Sequence, residues 1–124
     1  MTAKLFLALG AAYGLLGVAL GAFGAHGLRD RLSPELLAAW KTGVEYQSYH
    51  AFALLAVGWM LRSLGSSALQ LAGLSFAIGV LLFSGSLYAL ALSGIRGLGA
   101  ITPLGGLLFL VGWASLMVAV LRQP

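Results

Sequence analysis

Cysteine is absent from the 124 residues, which excludes disulfide staples, zinc–thiolate sites, iron–sulfur clusters and a cysteine nucleophile. Charge is nearly as scarce. Only 8% of residues are charged, against about a quarter in a soluble domain. Ten charged side chains cannot cover the surface of a water-soluble globule. The acids are Asp30, Glu35 and Glu45 alone, with no paired acids on one helix. There is no Gly-x-Ser-x-Gly, no phosphate-cradling loop and no His-Glu-x-x-His. The seven basic residues, Lys4, Arg29, Arg31, Lys41, Arg62, Arg96 and Arg122, give a net charge of +4. They are scattered and form no basic patch, so nucleic acid is not an expected partner. They read as charges flanking membrane segments.

Apolar residues dominate instead, at 60% of the chain with a mean hydropathy of +1.00, which excludes disorder. A helix needs about 20 apolar residues to cross the hydrocarbon core of a bilayer. Residues 5–25 run without a charge, as do 63–95 and 97–121. These predict spans over about 5–25, 69–93 and 103–121. A cleaved secretory leader competes for residues 1–25, but that stretch is long enough to span and its glycines lie at packing spacing. Thr102-Pro103 is a helix start, with Thr102 able to cap and Pro103 suited to the first turn.

The second span is shorter. Ala51 to Leu61 is purely apolar but only 11 residues long, about 16 Å of helix. Upstream, Ser33-Pro34-Glu35 supplies a cap, a first-turn proline and an early acid. The expectation is an amphipathic interfacial helix over about 34–43 that bends near Gly43 or runs on into a span over about 44–62. The sequence thus predicts one all-α membrane domain, residues 1–124, with four transmembrane helices and an interfacial helix between the first and second.

Two sets of residues stand out within that frame. Gly10, Gly14, Gly17, Gly21 and Gly24 form a stripe spaced 4, 3, 4 and 3, suited to close helix packing inside the bundle or against a second protomer. The polar residues near the membrane fall at one end of an up-down bundle: His26, Glu45, Tyr46, Gln47, His50, Ser84, Ser86, Tyr88 and Thr102. Polar groups in a membrane are costly and mark either a site or a structural cluster. His50 is expected to hydrogen-bond within this set, with Glu45 or Tyr88 as partner. Two histidines suggest haem or metal ligation, yet only Glu45 is a nearby acid, so neither a metal nor a cofactor is expected. A small multidrug transporter is the analogy by size, but its acid in the middle of the first span is missing here.

The ordered motifs Gly21-Ala22-Phe23-Gly24-Ala25-His26-Gly27, Thr42-Gly43-Val44-Glu45-Tyr46-Gln47-Ser48-Tyr49-His50, Leu82-Phe83-Ser84-Gly85-Ser86-Leu87-Tyr88, Thr102-Pro103-Leu104-Gly105-Gly106 and Gly112-Trp113 cover nearly the whole chain. In them the sequence resembles the membrane family called domain of unknown function 423, the transmembrane protein 256 family. The resemblance implies an integral membrane protein, in bacteria of the inner membrane, and no known activity, substrate or cofactor. It points to His26, Glu45, Tyr46, Gln47, His50, Ser84, Ser86, Tyr88, Thr102 and Pro103. The expected function is a non-enzymatic scaffold, or a protein that binds membrane lipid or a partner. A small homo-oligomeric transporter or channel is the alternative, and a haem- or quinone-linked redox protein a third.

Overall fold

The computed structural model describes residues 2–124. Helix α1 covers Ala3–Phe23 and closes in a π-helical turn, Gly24–Leu28. Helix α2 covers Pro34–Leu61, α3 Ser67–Ser93 and α4 Thr102–Leu121, the last preceded by a 3₁₀ turn, Arg96–Ala100. Three of these starts are capped by a side-chain oxygen that takes up an orphan N–H of the first turn. Thr2 accepts from Leu5 N, Ser33 from Leu36 N and Ser66 from Leu69 N. Gly94 ends α3 at φ 72°, a left-handed conformation that costs glycine nothing.

One local expectation changes. Thr102 is not a cap but the first residue of α4, since Ile101 before it already has helical dihedrals, and its hydroxyl is shared with Ser86 on α3. Of the two courses expected at Gly43 the helix takes the second: it runs on, and residues 34–61 form one uninterrupted helix with no break there. Gly43 serves packing instead. A Cβ there would lie 2.8 Å from the Tyr88 ring.

Successive helices run antiparallel. Helices α2 and α3 form the centre, with α1 against one side of the pair and α4 against the other. The α1 glycine stripe meets α2 within the chain. A Cβ at Gly10 would meet Ala51 O at 2.9 Å, at Gly21 the Val44 side chain, and at Gly24 the Trp40 indole. Gly14 is the exception, with nothing within 4 Å. Phe6 reaches across to Gly73 on α3, and α4 closes on α3 where Gly105 faces the Phe83 backbone and Gly112 the Phe76 ring. Small residues are what let helix backbones approach where no hydrophobic exclusion drives them together.

Phe6, Leu54, Val57, Leu69 and Phe76 fill the core, while Leu15, Val18, Phe52, Trp59, Leu107, Leu110 and Met117 lie exposed on the outside. A soluble monomer does not present so much contiguous apolar surface. Among the described residues, three helical stretches are long and apolar enough to cross a membrane: Ala3–Leu28, Ser67–Ser93 and Arg96–Leu121. Helix α2 is as long, at 28 residues, but Glu45, Gln47, Ser48 and His50 dilute its apolar half.

Candidate functional site

Helix α2 brings polar side chains into the bundle, and each is met by a neighbour. Gln47 is 3% exposed. Its amide donates to Tyr13 O on α1 (2.9 Å), and its carbonyl accepts from the Tyr88 hydroxyl on α3 (2.7 Å). The Tyr13 hydroxyl donates to Ala77 O on α3 at 2.7 Å. One glutamine thus links three helices, and the Tyr13 bond closes the circuit. A turn earlier, Ser84 donates to Gly43 O at 2.6 Å, and Trp40 Nε1 donates to Leu20 O at 2.9 Å.

His50 belongs to a second arrangement, facing α4. It is 3% exposed and its ring stacks on Phe109, centroids 3.6 Å apart and 7° from parallel. Nδ1 lies 2.7 Å from Tyr46 O, and Trp113 Nε1 donates to Nε2 at 3.0 Å. A carbonyl only accepts and an indole N–H only donates. Nδ1 therefore carries the proton and Nε2 offers its lone pair to Trp113, so the ring is neutral and both nitrogens are occupied. The expected partners, Glu45 and Tyr88, are both engaged elsewhere. Tyr88 is held by Gln47, and Glu45 accepts from Tyr49 at 2.5 Å on the exposed side of α2.

The one-sided polar set thus resolves into separate groups. Gln47, Tyr88 and Ser84 join α2 to α1 and α3. His50 joins α2 to α4. Ser86 and Thr102 share a 2.5 Å hydrogen bond between α3 and α4. His26 is exposed in the π-helical turn, apart from all three groups. Tyr46 is part-exposed, its ring 4.6 Å from Phe83. Tyr13, Trp40, Tyr49, Phe109 and Trp113 take part without having been among the predicted site residues. Trp113 stands in the Gly112-Trp113 motif, but no spacing connects it to a histidine 63 positions earlier.

Between α2 and α4 the surface forms a groove of about 580 Å³, with Tyr46, His50 and Phe109 at its base and Pro103, Leu107 and Trp113 along its α4 side. It runs from Pro103 to Trp113, ten residues or about 15 Å of helix. Among the described residues no three of His, Cys, Asp and Glu come together as a metal site. Haem ligation by both histidines does not fit this arrangement, since His26 is exposed and the His50 Nε2 lone pair is already engaged by Trp113. At the polar end, outside the bundle, Arg96 donates to both Glu35 carboxylate oxygens, at 2.8 and 3.3 Å. This ion pair ties the start of α2 to the turn before α4. It holds the Glu35 carboxyl below its ordinary pKa, by the hydrogen bond first and the arginine's charge second.

The DUF423 model, described as a protein of unknown function, matches residues 20–106. The UPF0382 membrane protein of Staphylococcus epidermidis (strain ATCC 12228) is 45% identical over 119 residues, covering 96% of this chain and 97% of that protein. The UPF0382 membrane protein YwdK of Bacillus subtilis (strain 168) is 46% identical over 120 residues, covering 96% and 98%. No solved structure matches. A small, all-helical chain with an apolar exterior, matched along nearly its whole length by proteins named for the membrane, belongs to the DUF423 family of membrane proteins of unknown function.

Proposed function

We propose that this protein is a non-catalytic, four-span protein of the inner membrane, a scaffold or binding protein that presents the groove between α2 and α4 to lipid or to a partner. The observation that carries the reading is how the polar side chains are used. Among the described residues no buried side-chain nitrogen or oxygen lacks a partner, and Gln47, Tyr88, Ser84, Tyr13 and His50 each bond to a neighbouring helix. A transporter needs polar groups turned toward a path and free to exchange partners. Here Gln47, Tyr88 and Ser84 bind helix to helix, and the small cavity beside them has an almost wholly apolar lining. The bonds that satisfy Gln47 and His50 also make α2 tolerable as a fourth span, with residues 34–43 lying at the interface. On this reading both termini are cytoplasmic. At their end Lys4, Arg62 and Arg122 stand without an acidic side chain, whereas Arg29, Arg31, Lys41 and Arg96 share the other end with all three acids.

The cysteine-free chain makes the topology directly testable. Thr2→Cys and Gln123→Cys should react with a membrane-impermeant maleimide from the same side, and Ser33→Cys and Gly97→Cys from the other. Three crossings put the termini on opposite sides and sink the four-span reading. Proteoliposomes loaded with a pH-sensitive dye test the mechanism. Proton flux above that of empty liposomes would favour the transporter.

A further inference from the structure

The end of the bundle that carries the termini has a cavity of its own. It lies between the start of α3 and the end of α4, about 410 Å³, lined by Ser67, Leu71, Ala114, Ser115, Val118 and Arg122 among others. Its lining is ordered along the helix axes. Ser67, the first residue of α3, and Arg122, just past α4, lie at the outer end. Leu71 and Val118 lie about one turn deeper, and Ala114 and Ser115 a further turn down. The outer end is thus cationic and hydroxylated, with apolar wall beneath it.

Charge separates the two ends in the same sense. The ion pairs among the described residues, Arg96–Glu35 and Arg29–Asp30, both lie at the far end. At the cavity end Lys4, Arg62 and Arg122 face no acidic side chain. Arg62 sits over the exposed Trp59 ring, 5.0 Å from its centroid, the kind of aromatic and cationic pair that marks the headgroup level of a bilayer. A guanidinium is well suited to a phosphate, because its planar N–H fork can donate two parallel hydrogen bonds.

We infer that this cavity is a binding site for one anionic phospholipid. Its phosphate lies between Arg122 and Ser67, and one acyl chain runs down the wall made by Leu71 and Val118. The inference rests only on α3 and α4 being membrane spans; it needs neither the groove at His50 nor a crossing by α2.

The test is lipid retention by the full chain, read by native mass spectrometry after extraction from nanodiscs containing equal phosphatidylglycerol and phosphatidylcholine. The wild type should retain phosphatidylglycerol preferentially with one lipid per chain, and Arg122→Gln should lower that preference about tenfold, the order expected of losing one charge-assisted hydrogen bond to the phosphate. Ser115→Leu, which fills the deep end, should lower retention with the charge intact. Arg62→Gln, at the same end but outside the cavity, should leave the preference within about twofold of wild type. Equal retention of the two lipids by the wild type overturns the proposal. So does an Arg62→Gln loss as large as that of Arg122→Gln, because attraction is then diffuse. So does displacement of the retained lipid by millimolar inorganic phosphate, because the site then reads a free anion. The cysteine-labelling pattern at residues 2, 33, 97 and 123 is independent of all these outcomes.

Discussion

Replacing Gln47 by leucine tests whether the polar circuit holds the helices together. The side chains are similar in size, so the change removes hydrogen bonding with little change in volume. Two interhelical bonds disappear, Gln47 Nε2 to Tyr13 O and Tyr88 Oη to Gln47 Oε1. In membrane proteins such bonds average about 0.6 kcal/mol and reach about 1.7. The Tyr13 carbonyl is a backbone acceptor inside α1 and loses little. The Tyr88 hydroxyl is left in a part-buried site without its acceptor, which adds to the cost. The sum is about 1–3 kcal/mol of lost stability. The assay is reversible unfolding in mixed detergent micelles, followed by circular dichroism, on Gln47→Leu, Tyr88→Phe and the double variant. Tyr88→Phe should cost less than Gln47→Leu, since it breaks one bond of the two. The double variant should cost no more than Gln47→Leu alone, because the tyrosine has no acceptor left to lose and removing its hydroxyl also removes the stranded donor. The coupling energy is then about 0.6–1.5 kcal/mol. If the single effects instead add to within about 0.3 kcal/mol, the bond carries no energy and the circuit is an accident of proximity.

Glycine substitutions should separate packing positions from open ones. Gly105→Ala forces a Cβ into the Phe83 backbone, which has no rotamer to move, and should destabilise by about 1–3 kcal/mol. Gly14→Ala meets nothing within 4 Å and gains helix propensity, so its thermal midpoint in detergent should equal or exceed the wild type. The side-chain ¹⁵N spectrum of His50 should show a proton on Nδ1 and a bare Nε2, and Trp113→Phe should shift the Nε2 resonance; a proton found on Nε2 refutes the Trp113 bond. Glu35 should titrate below the ordinary carboxylate value of about 4.3, and Arg96→Gln should return it there. Its pKa is lowered by folding, so the tether's contribution is present above the unfolded value and fades as pH falls through the folded one. A titration of Glu35 unmoved by Arg96→Gln would contradict this.

Membrane residence, helical class and most helix boundaries were legible in the sequence, because each depends on quantities that are local along the chain. The uncharged runs that become α1, α3 and α4 are set by the free energy of placing side chains in hydrocarbon, residue by residue. Ser33-Pro34 marks a start because capping is decided within a few residues.

Which groups pair was not legible, because pairing depends on how far each helix turns and slides against the next. Gly43 has the composition of a hinge. Only the approach of Tyr88 shows that it is a contact point in a continuous helix. Four glycines of the α1 stripe close on α2, yet Gly14, at the same spacing, is left open. The partner of His50 is an indole 63 residues away, on a helix whose rotation is fixed by Gly105 and Gly112 meeting Phe83 and Phe76 on α3. Hydropathy decides that a helix enters the membrane. The steric fit of small residues against large ones decides which face it turns inward, and so which polar groups meet.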